Sequence, residues 1–138
     1  MSPDQKALVQ ETWRQVTPIA DTAASLFYGR LFVIDPSTRP MFAGVDLEKQ
    51  RQKLLQALTV VVASLDRIEE LVPTIQDLGR RHVAYGVKDK DYDTVGAALL
   101  STLEAGLGAA FTDDVKEAWA TVYGILADTM KTAAAKAA

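Results

Sequence analysis

The sequence predicts an all-α domain of six to seven helices packed across one another. Three observations carry that prediction. Apolar residues recur at helical spacing along almost the whole chain. No short run alternates apolar and polar residues as a half-buried strand does. Prolines stand at the corners between segments of uneven length, which disfavours a four-helix bundle.

Taken in order, Ser2-Pro3-Asp4-Gln5 reads as a capping box with proline in the first turn. Val9, Trp13, Val16 and Ala20 follow on one face. Pro18-Ile19 marks a bend, after which Ala24, Phe27, Tyr28, Leu31 and Phe32 continue a second run to Ile34. Asp35-Pro36 starts a short helical piece that reaches Phe42, and Ala43 to Asp46 is a loop. The third long helix aligns Leu47, Gln50, Leu54, Leu58, Val61 and Leu65. Pro73 opens a fourth, with Ile75, Leu78, His82 and Tyr85 on one side. Gly86 to Asp91 reads as loop. A fifth helix runs from about Tyr92 to Ala110, and Thr112-Asp113-Asp114 caps a sixth whose seam is Val115, Trp119, Val122, Leu126 and Met130. The alanine-rich end reads as a frayed tail or the start of a linker.

The 138 residues suit one domain able to bury about two-thirds of its unfolded surface. The balance of 15 Lys and Arg against 18 Asp and Glu, a net charge of −3, gives no general attraction to nucleic acid or anionic membrane. No apolar run is long enough to span a bilayer, and the first residues lack the pattern of a signal peptide, so a cytoplasmic location is expected. With no cysteine there is no disulfide, thiolate zinc site, iron–sulfur cluster or nucleophilic thiol. With one histidine there is no two-histidine zinc motif and no bis-histidine ligation within the chain.

Three polar residues interrupt apolar faces. His82 stands with Ile75 and Leu78, Tyr28 among Ala24, Leu31 and Phe32, and Gln50 between Leu47 and Leu54. Buried polar groups need partners. For Tyr28 and Gln50 the partner is either a ligand or each other. His82 is either a satisfied core residue, part of a basic helix end after Arg80-Arg81, or a metal ligand.

Four motifs in order resemble bacterial globins, most closely the globin domain of flavohaemoglobins and their single-domain relatives. LGRRHVAYGV (Leu78 to Val87) is similar to the segment that carries the proximal haem ligand. Pro36 followed six residues later by Phe42 resembles the corner that holds a haem-stacking phenylalanine. QRQKL (Gln50 to Leu54), preceded by Phe27-Tyr28, resembles the distal helix, and EAWATVYGILAD (Glu117 to Asp128) resembles the last helix. The resemblance covers essentially the whole chain. It implies a globin fold around haem b, residues 1–138 being either a free-standing globin or the globin part of a longer chain.

The same resemblance implies roles. His82 is the proximal axial ligand of the haem iron. Tyr28, Gln50 and Leu54 form the distal side, two donors and an apolar wall facing a small diatomic ligand. Phe32, Phe42, Leu78, Val87 and Val95 contact the haem, the Phe42 stack being worth on the order of several kcal/mol. Lys53 and Arg81 approach the propionates, and Tyr92 supports the proximal imidazole. The family's glutamate late in the last helix has Ala134 in its place here. The expected function is reversible, high-affinity O2 binding with nitric oxide dioxygenation, using a separate reductase because no Gly-rich dinucleotide turn is present. The alternative is an O2 carrier, store or sensor coupled to another domain. A haem-free helical domain is the third reading. Expected partners are O2, NO and similar diatomics, with neither nucleic acid nor membrane.

Overall fold

The computed structural model describes residues 2–137; Met1 and Ala138, the last alanine of the tail, lie outside the described residues. Six α-helices are present there: α1 (Pro3–Val16), α2 (Ala20–Ile34), α3 (Leu47–Ala63), α4 (Val72–Ala84), α5 (Asp89–Leu107) and α6 (Asp113–Ala137). Four 3-10 segments join them, at Thr17–Ile19, Pro36–Phe42, Leu65–Leu71 and Gly108–Ala110. The all-α prediction holds, and the proline-marked corners fall in these tight segments or in first turns. Prolines in a first turn lose no helical hydrogen bond, whereas Pro40 sits inside the Pro36–Phe42 segment.

Local chemistry sets the ends. The Ser2 hydroxyl accepts from the Gln5 N–H at 3.1 Å while the Gln5 side chain accepts from the Ser2 N–H at 3.2 Å. Asp35 accepts from the Ser37 N–H and Asp46 from the Glu48 N–H, both at 3.0 Å. Helix α4 ends in a turn with Gly86 at φ 82°, and the Val87 N–H donates back to the His82 carbonyl at 3.1 Å.

Four boundaries differ from expectation. Helix α5 begins at Asp89, three residues early, because Asp91 sits inside its first turn and accepts from the Lys88 N–H at 2.8 Å. The same helix stops at Leu107, after which Gly108–Ala110 tightens into a 3-10 turn. Leu65 leaves the face of α3 and is buried at the start of the 3-10 segment that follows. The alanine tail is no frayed end: α6 continues to Ala137, with Ala133 buried. Tyr85, aligned with His82 in the sequence, is 61% exposed because the helix ends at Ala84 and the turn carries it outward.

The interior is divided. A main cluster gathers Val9, Trp13, Phe27, Tyr28, Leu31, Leu99, Leu103 and Trp119 from α1, α2, α5 and α6. It is pinned where the Trp119 indole N–H donates to the Thr12 hydroxyl at 2.8 Å. A smaller cluster holds Ile75, Tyr92, Ala127 and Met130, and Ile68, Tyr123 and Leu126 pack against both. The heaviest packing runs between α4 and α6 and between α2 and α5. Gly79 makes the first of these possible, since a Cβ there would stand 2.4 Å from the Met130 carbonyl oxygen. Consecutive helices α3 and α4 scarcely touch. That gap positions the site.

Candidate functional site

The two helices that scarcely touch carry two of the three polar residues singled out in the sequence, Gln50 on α3 and His82 on α4, while Tyr28 lies on α2. On α3, Gln50, Leu54, Leu58 and Val61 are only partly buried; on α4 so are Leu78 and His82. Leu54, Leu58 and Val61 pack against the main cluster and Leu78 against the smaller one, each only partly covered.

One side is built on Tyr28. Helix α2 delivers it into the main cluster with 6% of its surface exposed. Its ring meets Phe27 edge-on at 5.0 Å, Phe42 edge-on at 5.5 Å and Phe32 at 6.4 Å, while Phe32 and Phe42 lie 5.6 Å apart. Edge-to-face packing of this kind fixes a phenol's direction. Burial pushes the Tyr28 pKa up, opposed by the Gln50 amide at its side and by the Arg51 guanidinium. Tyr28 is therefore held as a neutral donor beside a second donor, and Leu54 follows Gln50 by about one turn of α3.

The other side is built on His82. Its Nδ1–H donates to the Leu78 carbonyl at 2.7 Å, one turn back on α4. The tautomer that makes this bond leaves the Nε2 lone pair free to bind a metal. Partial burial pushes the imidazole pKa down, reinforced by Arg81 and opposed by the Leu78 carbonyl, so the neutral, ligating form is favoured. The Tyr92 ring on α5 stacks on the imidazole with centroids 6.4 Å apart and planes 27° apart. The Tyr123 hydroxyl on α6 donates to the Tyr92 carbonyl at 2.6 Å, which ties α5 to α6 behind the stack. Tyr92 is itself buried and its hydroxyl has no hydrogen-bond partner. Among the described residues no three His, Cys, Asp or Glu converge, so a metal on His82 takes its remaining ligands from elsewhere.

The structure thus brings Tyr28, Phe32 and Phe42 into one aromatic group, with Gln50 beside the phenol, and sets Leu78, His82 and Tyr92 in another. Val87 closes the turn after His82 and packs against the smaller cluster; Val95 packs against the main one. Lys53 and Arg81 are both exposed, and Arg81 forms an ion pair with Asp77 at 3.5 Å. Two neighbours escape the sequence reading, Lys131 and Arg39, and a third, Tyr85, aligns with His82 there but is given no role. The Lys131 ammonium lies 5.9 Å from the Tyr92 ring centroid, the Arg39 guanidinium lies 5.3 Å from that of Phe32, and the Tyr85 ring lies 5.7 Å from His82. Only Tyr85 had a helical-spacing signal.

The core falls into two clusters, and the His82 imidazole lies beside the smaller one, stacked on Tyr92. The globin family model matches residues 25–130, and the chain belongs to the globin family. Haem binding follows from that membership, and the residues fit it: His82 has its Nδ1 engaged by the Leu78 carbonyl, and no three His, Cys, Asp or Glu cluster among the described residues. A flavohemoprotein of Bordetella parapertussis is 33% identical over 132 residues, covering 94% of this chain and 33% of that protein. One from Bacillus subtilis is 32% identical over 110 residues, covering 78% of this chain and 28% of that protein. The chain therefore spans about a third of the length of these relatives. No helix among the described residues is long and apolar enough to cross a membrane.

Proposed function

We propose that this globin binds O2 reversibly and tightly at ferrous haem and, supplied with electrons by a separate or fused reductase, oxidises nitric oxide to nitrate. The observation that carries the reading is the pairing of a buried Tyr28 phenol with the Gln50 amide, together with a single histidine, His82, whose Nδ1 is engaged by the Leu78 carbonyl. Haem supplies the iron, its affinity for diatomic ligands and its redox chemistry. The chain's residues do the rest.

His82 would hold the haem iron through Nε2, because its Nδ1 proton is engaged by the Leu78 carbonyl. Tyr28 and Gln50 donate hydrogen bonds to the ligand side and strengthen any form in which negative charge accumulates there. Leu54 with Phe42 and Phe32 excludes water, so those donors act in a low dielectric. Leu78, Val87 and Val95 complete the apolar contact, and Tyr92 holds the imidazole plane. Lys53 and Arg81 lie at the solvent edge, where they would meet the propionates. Arg81 must then exchange Asp77 for that contact. Absence of cysteine excludes thioether attachment, which is compatible with haem b held by His82 and packing. This reading places the protein in the cytoplasm, in contact with a reductase.

The test is nitrate formation. The reduced, haem-loaded protein in air should consume NO stoichiometrically with nitrate produced, and His82→Ala should abolish haem ligation and turnover together. Slow NO loss without nitrate ends the dioxygenase reading. A second reading, O2 storage or sensing coupled to another domain, is favoured by Ala134, which stands where the family's late glutamate is expected. Tight O2 binding without NO turnover would select it.

A further inference from the structure

Behind His82 stands an arrangement that the distal donors and the axial bond do not account for. The Tyr92 ring lies between two partners, the His82 imidazole at 6.4 Å and the Lys131 ammonium at 5.9 Å, centroid and nitrogen distances respectively. Because the Tyr92 hydroxyl is buried without a partner, the tyrosine engages its neighbours through its π face. The geometry is fixed from behind. Lys131 directly follows Met130, whose backbone abuts Gly79 on the helix that carries His82, and the Tyr123 hydroxyl anchors the Tyr92 backbone. Lys131 is half-buried and enters none of the ion pairs found among the described residues.

We infer that Lys131 is a positioning residue for the His82 site: its ammonium holds the Tyr92 ring against the imidazole and disfavours further positive charge on an iron bound there. The inference rests on the haem reading. Its consequence is a bias toward the ferrous state, because oxidation to ferric adds a positive charge within reach of a fixed cation. The two separations place the ammonium at most about 12 Å from the imidazole centroid, where an effective dielectric constant of about 20 makes the bias roughly fivefold to tenfold in the ferrous-to-ferric ratio. A tenfold change is about 59 mV for one electron. Asp89, whose charge acts on the Tyr92 phenol, works in the opposite sense.

The test is an anaerobic redox titration of the haem-reconstituted full chain, with absorption spectra of both oxidation states. Lys131→Met should lower the ferrous-to-ferric ratio about fivefold to tenfold at fixed potential, Lys131→Glu should lower it further, and Lys131→Arg should restore it. Asp89→Asn should move it the other way. Ratios within twofold of the parent for both the Met and Glu variants overturn the inference. So does an equal shift in the Arg and Met variants, which would mark a packing effect. Failure of the parent chain to show a Soret band overturns the haem reading and this inference together; a normal Soret band with an unmoved potential overturns this inference alone.

Discussion

Tyr28 shows how much one hydroxyl can decide. Its ring is held by three phenylalanines and its pKa is pushed up by burial, so the phenol remains a donor through the neutral range. Removing that donor with Tyr28→Phe keeps the packing and loses one hydrogen bond in a shielded site. At roughly 1–3 kcal/mol, O2 release should quicken by about 5- to 150-fold. Stopped-flow displacement by carbon monoxide measures it, and an unchanged rate would mean that Tyr28 does not face the ligand. Tyr92 offers the opposite case. Its hydroxyl is buried and unpartnered, so Tyr92→Phe removes a desolvated group that gains nothing in return. Stability in urea should hold or rise, by up to about 1–3 kcal/mol. Tyr28 and Gln50 were legible in the sequence because each interrupts an apolar stripe at helical spacing. Lys131 was not, since it lies among alanines and threonines that define no stripe, and its partner is on another helix.

Helices α4 and α6 set the position of His82, and a glycine sets how close they come. In an isolated helix Gly79→Ala would stabilise by about 1 kcal/mol through propensity. Here the added Cβ would lie 2.4 Å from the Met130 carbonyl oxygen and 2.7 Å from its Cα, both backbone atoms that cannot swing aside. Overpacking of this kind typically costs about 1–3 kcal/mol, so the net effect should be destabilising, with α4 displaced. A urea midpoint below that of the parent, together with altered haem uptake, is the expected result; a raised midpoint would mean the crossing is looser than its backbone contact implies. At this scale periodicity found every helix and misplaced several ends. The start of α5 was missed because Lys88 is not a favoured cap residue and the signal lies in Asp91, three residues on, which folds back to the Lys88 N–H. The end of α6 was missed because an alanine run has no contrast between faces, so the burial of Ala133 is decided by tertiary packing. The sparse contact between the consecutive helices α3 and α4 is a tertiary feature, and a one-dimensional pattern holds no record of it.

Across the whole molecule the divided core is held by phenols. Tyr28 belongs to the main cluster, Tyr92 to the smaller one, and Tyr123 packs against both while donating to the Tyr92 carbonyl. Burial raises all three pKa values above the ordinary 10.0, with the Tyr92 and Asp93 charges adding to the shift at Tyr123 and Asp89 to that at Tyr92. Their sign is common. When the folded-state pKa is the higher one, the unfolded chain loses its protons first, so the stability these groups contribute is whole below pH 10.0 and declines as pH rises past it toward the folded-state values. The apoprotein should therefore unfold cooperatively in alkali, its helical circular dichroism falling in step with the rise of phenolate absorbance. Tyr123→Phe separates the contributions. It loses the bond to the Tyr92 carbonyl and should be less stable at neutral pH, yet its stability should fall less steeply above pH 10 because one of three raised phenols is gone. Equal steepness in the two proteins would show that Tyr123 does not couple ionisation to folding. The alkaline limit would then belong to Tyr28 and Tyr92, one in each core cluster.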